Sequence, residues 1–208
     1  VGQLLKNNKE LITFDLLPNE HTKSFKYIPT LLRFLSDNNC GKNDVIIACG
    51  GGTILDLCAF TSSIYMRGLP FAAIPTTLIG QVDVLTAGKT CLNFGMTKNL
   101  LGTFYYPEFI YNNSAILETC PMMFQRQGFS EVFKYGLLAS DKLVNFMYEY
   151  SQTFNPLLLR EITELTMNAR VKISKIDPLA SNLGHTFGHA LESLFNFKLL
   201  HGDAISIG

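Results

Sequence analysis

The chain has 208 residues, of which 47% are hydrophobic and 16% are charged, enough for a substantial core in one large domain or two small ones. Its 17 basic residues balance its 17 acidic residues, so no overall charge favours nucleic acid or an anionic membrane, and we expect neither as a partner. No apolar run approaches the ~20 residues of a membrane span, and the first ten residues lack the pattern of a signal peptide.

The first half of the chain alternates strand and helix patterns. Residues 44–52 form an apolar run that ends in glycines, and such a run between helices is typical of a parallel sheet buried on both faces. The spacing of Ile28, Leu31 and Leu35 predicts a helix ahead of that strand. The predicted strands are residues 10–16, 44–52, 69–80 and 109–111, and the predicted helices are residues 25–38 and 53–68.

A glycine-rich turn links the strand at 44–52 to the helix that follows it. The order of strand, Gly50, Gly51, Gly52 and helix N-terminus makes an anion-binding site from free backbone N–H groups and the helix dipole. Glycine also lets a pyrophosphate approach the backbone closely. Because the turn is not a GxGxxG fingerprint, a tight turn without a ligand is the alternative interpretation.

Polar side chains follow the strand at 69–80. Thr76 and Thr77 emerge at its carboxyl end, where ligands bind in open α/β folds. Lysines beside small residues in loops suit phosphate or carboxylate, although a lysine of this kind, taken alone, is more often a solvated surface residue. The candidate residues in the next loops are Asp83, Lys89, Lys98 and Asn99.

From Ser114 onwards strand patterns give way to helical ones. The predicted helices are residues 124–139, 141–151 and 156–176. We therefore place a domain boundary near Asn113, with an α/β domain at residues 1–113 and a helical domain at residues 114–208. The five cysteines are widely spaced and form no CxxC pair, which predicts reduced, mostly buried thiols in a cytoplasmic protein.

Histidines and one acid in the helical half suggest a metal site. His185 and His189 are four residues apart and share a helix face, and His201 follows in a turn flanked by glycine. An acid would complete a two-His, one-carboxylate site for a divalent metal, and we choose Glu131, which shares a helix face with Lys134 among apolar neighbours. The alternatives are core or capping histidines and a surface ion pair between Glu131 and Lys134.

Seven motifs, taken together, resemble the sugar phosphate cyclases, and most of all the 3-dehydroquinate synthase family. The resemblance covers about residues 20 to 208. In order, the motifs are GGGTILDLCAF, YMRGLPFAAIPTTLIGQVD, AGKTCLN, TKNLLGTFYYP, EVFKYGLL, NLGHTFGHALE and HGDA. The resemblance implies a Rossmann-like parallel-sheet domain that binds NAD, followed by a helical domain that binds metal.

The resemblance also implies roles for individual residues. The metal ligands, for zinc or cobalt, would be Glu131, His185 and His201. The nucleotide contacts would be Glu20, Lys23, Gly51, Gly52, Asp56, Thr76, Thr77, Asp83, Lys89, Lys98 and Thr119. The substrate contacts would be Arg67, Asp83, Lys89, Asn99, Lys134, Lys172, Asn182 and His189, with Lys89, Lys134, Asn182 and His189 also catalytic. Arg67 would reach the substrate phosphate of a neighbouring subunit, which implies a homodimer.

The implied activity is that of a lyase with an internal redox cycle. NAD oxidises a secondary alcohol of a seven-carbon keto sugar acid phosphate, DAHP; phosphate is then eliminated, the ketone is reduced again, and the ring reopens and closes to 3-dehydroquinate in the shikimate pathway. One alternative is another cyclase that acts on sedoheptulose 7-phosphate or glucose 6-phosphate, as 2-deoxy-scyllo-inosose synthase does. Further alternatives are a metal-dependent polyol dehydrogenase and a non-catalytic binding module.

Three stretches depart from the family pattern. The chain has DVLTAGK where the family has DSSVGGK, and HGD where it has HGE. Between Lys172 and Asn182 the sequence ISKIDPLAS replaces a longer acidic segment that carries a substrate-binding arginine. Either that contact has been lost, or a loop is missing from the sequence, which we favour because both ends also look cut. We therefore expect the chain to be part of a longer polypeptide.

Overall fold

The computed structural model describes residues 10–153, 155–177 and 179–208. Its first part, up to residue 110, is called the α/β half. The half contains, in chain order, α1 (Ile28–Asp37), β1 (Ile46–Gly50), α2 (Gly52–Ile64), β2 (Phe71–Pro75), α3 (Leu78–Val82), β3 (Lys89–Phe94), β4 (Thr97–Phe104) and β5 (Phe109–Ile110). Short 3-10 helices lie at Glu20–Thr22, Phe25–Tyr27 and Tyr65–Arg67.

From Ser114 onwards, the described residues form the helical half. It contains α4 (Ser114–Glu118), α5 (Met122–Ala139), α6 (Asp141–Thr153), α7 (Pro156–Ile176), α8 (His185–Leu194) and α9 (His201–Ile207). A 3-10 turn at Ala180–Asn182 precedes α8. No described helix is both long and apolar enough to cross a membrane.

A parallel sheet in the order β1, β2, β5 organises the α/β half. Its register pairs Gly50 with Pro75, so the glycine turn after β1 and the threonines after β2 share one edge. The Thr76 N–H donates to the Gly50 carbonyl at 2.9 Å and fixes this contact. The sheet and α2 share a core that includes the fully buried Leu55 and Phe71.

An antiparallel hairpin of β3 and β4 lies beside this sheet. Its turn contains Gly95 at φ +60°, a conformation that glycine adopts without steric cost. Leu92 of β3 is fully buried with Leu57 and Ile28, which fastens the hairpin to α2 and α1. The hairpin carries Lys98 and Asn99 towards the helical half.

Helix α5 joins the two halves. A Cβ atom on Gly128 would lie 2.5 Å from Leu78 Cγ, so the absence of a side chain lets α5 pack directly on α3. Leu78 belongs to the same core as the fully buried Val132 and Tyr135 of α5. The cleft between the halves is therefore lined by α5 on one side and by the sheet edge on the other.

The predicted fold class is confirmed, because a parallel α/β sheet is followed by a helical half. Three of the predicted strands are present with shorter bounds, and all the predicted helices are present. The helices predicted at 25–38 and 53–68 are shorter, those at 124–139 and 141–151 are each two residues longer, and that at 156–176 has the predicted bounds. The strand predicted at residues 10–16 is wrong: no strand forms there, and Phe14 instead packs its ring 4.9 Å from that of Phe34 on α1. The β3–β4 hairpin was not predicted. The boundary at Asn113 stays a prediction.

The cysteine prediction is correct in one respect and wrong in another. All five cysteines are free thiols. They are not mostly buried, because four are partly exposed and Cys49 is exposed. Cys49 lies on β1 next to the glycine turn and lines the cleft between the halves.

Candidate active site

A cavity of about 1000 Å³ lies between the two halves. One end is formed by the turn from Gly50 to Gly52, and the other by α5, α8 and α9. Most of the site residues predicted from the sequence line it, namely Glu20, Lys23, Gly51, Gly52, Asp56, Thr76, Thr77, Asp83, Lys89, Lys98, Asn99, Thr119, Lys134, Asn182, His185, His189 and His201.

Three predicted residues do not line the cavity. Glu131 lies behind its wall, fully buried, and faces the histidines. Lys172 is exposed on α7, and Arg67 is exposed after α2. The roles given to all the predicted site residues stay predictions, and the structure does not bring Lys172 or Arg67 to the cavity.

The glycine end of the cavity is built from backbone. Gly51 precedes the 13-residue helix α2, whose first N–H groups have no partner within the helix. A Cβ on Gly51 would lie 3.1 Å from Thr77 Cγ2, and one on Gly52 would lie 3.3 Å from Val84 Cγ2, so side chains there would narrow the cavity. This cradle fits a pyrophosphate.

A buried ion pair supports the same end. Lys23 Nζ lies 2.6 Å from Asp56 Oδ2, and the Cys91 N–H donates to Asp56 Oδ1 at 3.1 Å. Burial would lower the pKa of Lys23, but the charges of Asp56 and Glu20 raise it well above its ordinary value. The pair fixes α2 against the segment before α1 and against β3.

At the other end, three atoms that could bind a metal ion converge. Glu131 Oε1 lies 3.5 Å from His185 Nε2 and 3.6 Å from His201 Nε2. Oε1 is buried and has no hydrogen-bond partner among the described residues. An orphaned carboxylate oxygen between two imidazole nitrogens fits a divalent cation, and two histidines with one carboxylate are a ligand set that zinc uses.

The other ring nitrogen of each histidine is held by the protein. His185 Nδ1 lies 3.1 Å from the Leu183 carbonyl oxygen, and His201 Nδ1 lies 3.1 Å from Glu192 Oε2. These contacts fix both rings with Nε2 towards Glu131. Such orientation of ligands by a carbonyl or a carboxylate is typical of metal centres.

Packing of α9 on α5 sets the position of His201. A Cβ on Gly202 would lie 2.4 Å from the Gln127 carbonyl oxygen, so the two helices touch at their backbones. Gln127 Nε2 donates to Asp203 Oδ2 at 3.1 Å, and the Asp203 N–H donates to Gln127 Oε1 at 3.1 Å. The shorter acid of the HGD motif thus holds α9 in place.

Lys134 lies next to the three ligand atoms. Its ammonium bonds Glu131 Oε2 and donates to the Ser181 carbonyl at 2.8 Å. Burial alone would raise the pKa of Glu131, but the contacts with His201, Lys134 and His185 lower it to about 2. Glu131 is therefore a carboxylate throughout the physiological range.

His189 stands apart from the group around Glu131. Its ring centroid is 5.2 Å from that of His185, and its Nε2 is buried without a partner among the described residues. Burial, together with the charges of His185 and Lys98, lowers its pKa to about 4. His189 is thus a neutral imidazole that lines the cavity, with a ring nitrogen available to a ligand. The Oδ1 atom of Asn99 is likewise buried and unpartnered.

A second combination of ligand atoms involves an acid that the sequence reasoning missed. His189, Glu192 and His201 also lie within 4.8 Å of one another. However, the Lys98 ammonium bonds Glu192 and lies 3.4 Å from His201 Nδ1, so a cation there would meet a positive charge. The sequence did contain an indication that Glu192 belongs to this group, because His185, His189 and Glu192 follow the i, i+4, i+7 spacing of one helix face.

Arg170 is another cavity residue that the sequence reasoning missed. Its Nε donates to Asp83 Oδ1 at 3.0 Å, and the Tyr135 hydroxyl lies 3.4 Å from the same oxygen. Arg170 therefore places a guanidinium in the cavity near the shortened stretch at 173–181, where Pro178 lies outside the described residues. In the altered DVLTAGK stretch, Leu85 is buried in the core of the α/β half.

Comparison with known proteins decides the family. Residues 13–127 match the model for the N-terminal part of 3-dehydroquinate synthase, and residues 128–208 match the model for the C-terminal part. The chain belongs to the 3-dehydroquinate synthase family. The two models meet at residue 127, within α5.

Curated relatives in this family are similar over most of the chain. The 3-dehydroquinate synthase of Sulfurisphaera tokodaii is 37% identical over 210 residues, which are 96% of this chain and 60% of the relative. That of Dictyoglomus thermophilum is 38% identical over 199 residues, 91% of this chain and 56% of the relative. The chain thus spans about 60% of the length of these relatives.

Solved structures show the same fold. A 2-epi-5-epi-valiolone synthase from Streptomyces hygroscopicus, with NAD+ and Zn2+ bound, has a TM-score of 0.84 at 23% identity, over 91% of this chain and 56% of its own. A 2-deoxy-scyllo-inosose synthase with carbaglucose-6-phosphate, NAD+ and Co2+ also has a TM-score of 0.84 at 23% identity. The match covers 92% of this chain and 56% of the synthase chain. An iron-containing alcohol dehydrogenase is more distant, with a TM-score of 0.65 at 14% identity; the match covers 92% of this chain and 59% of the dehydrogenase chain.

Proposed function

We propose that the full-length protein is a 3-dehydroquinate synthase, a carbon–oxygen lyase that converts DAHP to 3-dehydroquinate and phosphate. The observation that supports this best is one cavity with two different ends: a glycine cradle at α2 and the ligand cluster of Glu131, His185 and His201. Lys134 and His189 lie beside the cluster and supply a cation and a neutral imidazole. These groups suit oxidation of an alcohol next to a leaving phosphate.

The metal would be zinc or cobalt, held by Glu131, His185 and His201. When bound, it supplies a Lewis acid that acidifies a substrate hydroxyl. Lys134 bonds the second oxygen of Glu131 and so keeps Oε1 directed at the histidines. Its third ammonium N–H can also donate to a substrate oxygen.

NAD would be the second cofactor, with its pyrophosphate on the N–H groups at Gly51 and Gly52. When bound, it would supply a reversible hydride acceptor for the substrate alcohol, with no net consumption of NAD over a turnover. Thr76 and Thr77 lie beside the cradle, because β1 and β2 pair in parallel register. The Lys23–Asp56 pair holds the helix that carries the cradle.

Side chains in the cavity would bind the anionic groups of the substrate and accept its protons. DAHP carries a phosphate and a carboxylate, and Lys89 and Lys134 would bind these anions through charge-assisted hydrogen bonds. His189 is neutral and its Nε2 is unpartnered among the described residues, so it can accept a proton as phosphate leaves. Asn99 and Asn182, which line the same cavity, would orient the substrate hydroxyls.

We further propose a homodimer that acts in the cytoplasm, in the shikimate pathway of aromatic amino-acid biosynthesis. Arg67 is exposed and holds φ at +65°, a conformation that costs energy outside glycine and clusters at functional positions. In a dimer it would reach the substrate phosphate of the partner. The division into domains at 1–113 and 114–208 belongs to the same proposal.

A second candidate is a sister cyclase. The solved structures with a TM-score of 0.84 are a valiolone synthase and an inosose synthase, and this chain departs from the family pattern around Val84 and Leu85. Such an enzyme would accept a sugar phosphate without a carboxylate. The curated relatives at 37% and 38% identity favour 3-dehydroquinate synthase instead.

Phosphate release distinguishes these activities. The full-length protein would be incubated with NAD, zinc and, in turn, DAHP, sedoheptulose 7-phosphate and glucose 6-phosphate. We expect phosphate release from DAHP alone, without net NADH, and loss of that release in Glu131→Gln but not in Glu164→Gln, an exposed acid on α7. Release from another sugar phosphate would support a sister cyclase. Steady NADH accumulation with a simple polyol would support a dehydrogenase.

A further inference from the structure

Glu192 is a buried acid on α8 to which neither the motifs nor the proposed chemistry gives a role. It is 2% exposed. Its carboxylate lies 3.1 and 3.2 Å from His201 Nδ1 and also bonds the Lys98 ammonium. Because an unpaired buried charge is costly, both partners are needed to keep this carboxylate in the protein interior.

We infer that Glu192 is a positioning residue of the metal centre, which makes His201 a ligand through Nε2. This inference rests on the proposed metal site. A carboxylate has only acceptors, so a proton must lie on His201 Nδ1 for the contact to be a hydrogen bond. In the neutral ring, Nε2 is then the nitrogen with the lone pair that a metal needs, and it lies 3.6 Å from Glu131 Oε1.

The two histidines are held by groups of different charge. His185 faces the neutral Leu183 carbonyl, whereas His201 faces a full carboxylate. A carboxylate on the outer nitrogen makes the ligand more basic as well as fixing its ring. His201 should therefore be the ligand whose affinity for metal depends most on its outer partner.

Lys98 limits Glu192 to this indirect role. Its ammonium occupies one carboxylate oxygen of Glu192 and lies 3.5 Å from Glu20 Oε1, which in turn accepts from Asn93 Nδ2 at 2.9 Å. A metal held directly by Glu192, His189 and His201 would lie beside this positive charge. The charge arrangement thus directs the cation to the Glu131 side of His201.

Metal affinity tests the inference without any need for turnover. Full-length apoprotein would be titrated with zinc against a chromophoric chelator. We expect Glu192→Gln to weaken zinc binding by about 10- to 100-fold, the range typical for loss of a group that orients a ligand. Glu192→Asp, which keeps the charge, should recover part of the affinity, and Glu164→Gln should bind as the wild type does.

Four further measurements distinguish positioning from direct coordination and from loss of folding. With cobalt as the probe, visible absorption of Glu192→Gln should keep the wild-type band positions and intensity, since the ligands are unchanged. His189→Gln should keep wild-type zinc affinity.

Nitrogen-15 spectra of the zinc-loaded wild type should place the proton of His201 on Nδ1. Thermal melting would confirm that each variant is folded.

The outcomes against the inference are distinct from those against the proposed function. Wild-type zinc affinity in a folded Glu192→Gln variant would overturn it. Changed cobalt bands in that variant, together with weakened binding in His189→Gln, would make Glu192 a ligand and also overturn it. A protein that shows the expected zinc affinities but releases phosphate from none of the sugar phosphates would overturn the proposed function only.

Discussion

The two ends of the cavity offer different groups for binding charged ligands. At the glycine end, backbone N–H groups of α2 face the cavity and the nearby side chains are mostly small. At the end of the proposed metal ligands, called the metal end, the acids Glu131 and Glu192 and the base Lys134 are buried, with exposures of 0%, 2% and 4%. At the glycine end, free backbone N–H groups face the cavity and the buried Lys23–Asp56 pair supports them. At the other end, the charged side chains themselves line or adjoin the cavity.

This difference explains which substitutions relative to the family pattern the chain can tolerate without loss of the cavity's binding groups. At the glycine end, Val84 and Leu85 replace hydroxyl residues, yet Leu85 is buried in the core and the cradle remains open. A backbone site tolerates changes in neighbouring side chains so long as no atom enters the cradle. At the metal end, any change of one charge leaves another buried without its partner.

Loss of the Glu131 carboxylate should have the largest effect. Glu131→Gln removes the anionic ligand, and we expect zinc affinity to fall by more than about 100-fold, beyond the loss typical of groups that only orient ligands. Competition with a chelator would measure it, with Glu164→Gln as the matched control. Zinc binding within tenfold of the wild type would show that the metal end does not depend on Glu131.

Loss of the Lys134 ammonium should destabilise the apoprotein. Lys134→Met leaves the Glu131 carboxylate buried without its cation, which costs about 3–5 kcal/mol. Zinc should restore most of this stability, because the cation replaces the missing charge. Chemical denaturation with and without zinc would test this, with the exposed Lys175→Met as the control. A variant as stable as the wild type without zinc would contradict the account of paired charges.

A methyl group in the glycine cradle should have a smaller effect. Gly52→Ala places a Cβ 3.3 Å from Val84 Cγ2, so the protein should fold but bind NAD about tenfold more weakly, a loss of about 1.4 kcal/mol. Fluorescence titration with NAD would measure the dissociation constant. Gly41→Ala, whose Cβ would have only Asp44 Oδ2 at 3.8 Å, is the control. Unchanged affinity in Gly52→Ala would place the nucleotide elsewhere.

The smallest expected effect concerns the pH dependence of folding. The pKa of His189 is about 4 in the folded protein, against about 6.5 when unfolded, so the unfolded chain binds more protons between these values. The free energy of unfolding should therefore fall as the pH drops from about 7 to about 5. Because the side chain is partly solvated, the contribution should be on the order of 1 kcal/mol.

Comparison with His189→Gln isolates this contribution from other groups that titrate in the same range. The apoprotein variant should lose less stability than the wild type between the two pH values. Urea denaturation at each pH would give the difference. An equal loss in both proteins would show that His189 titrates normally.

The sequence predicted what local patterns encode. The periodicity of apolar residues and the positions of glycines predicted the order of strands and helices. The three-residue spacing of Glu131 and Lys134 predicted that the two side chains share one face of a helix. The β3–β4 hairpin was missed because its turn, Gly95 with Met96, lies between segments whose alternation is interrupted by polar residues. The strand at 10–16 was predicted from weak alternation, but Phe14 finds an apolar partner on α1 instead.

Contacts between distant segments were the hardest to predict. Lys98 and Glu192 are 94 residues apart, and only the hairpin and α8 bring them together. Arg170 meets Asp83 across 87 residues. No local pattern carries such pairings. Glu131 was chosen as a ligand because a charged residue among apolar neighbours needs a partner, and the family resemblance supported that choice. Its contacts with His185 and His201, more than fifty residues further along the chain, could not be predicted from spacing.

The backbone contact at Gly202 has a consequence for engineering the metal centre. Any side chain at this position would push α9 away from Gln127 and would carry His201 with it. Metal sites tolerate changes of only about 0.2 Å in ligand distance. Attempts to alter metal preference should therefore change the chemistry of Glu131 or His185 and leave the His201–Gly202 pair intact as a fixed spacer.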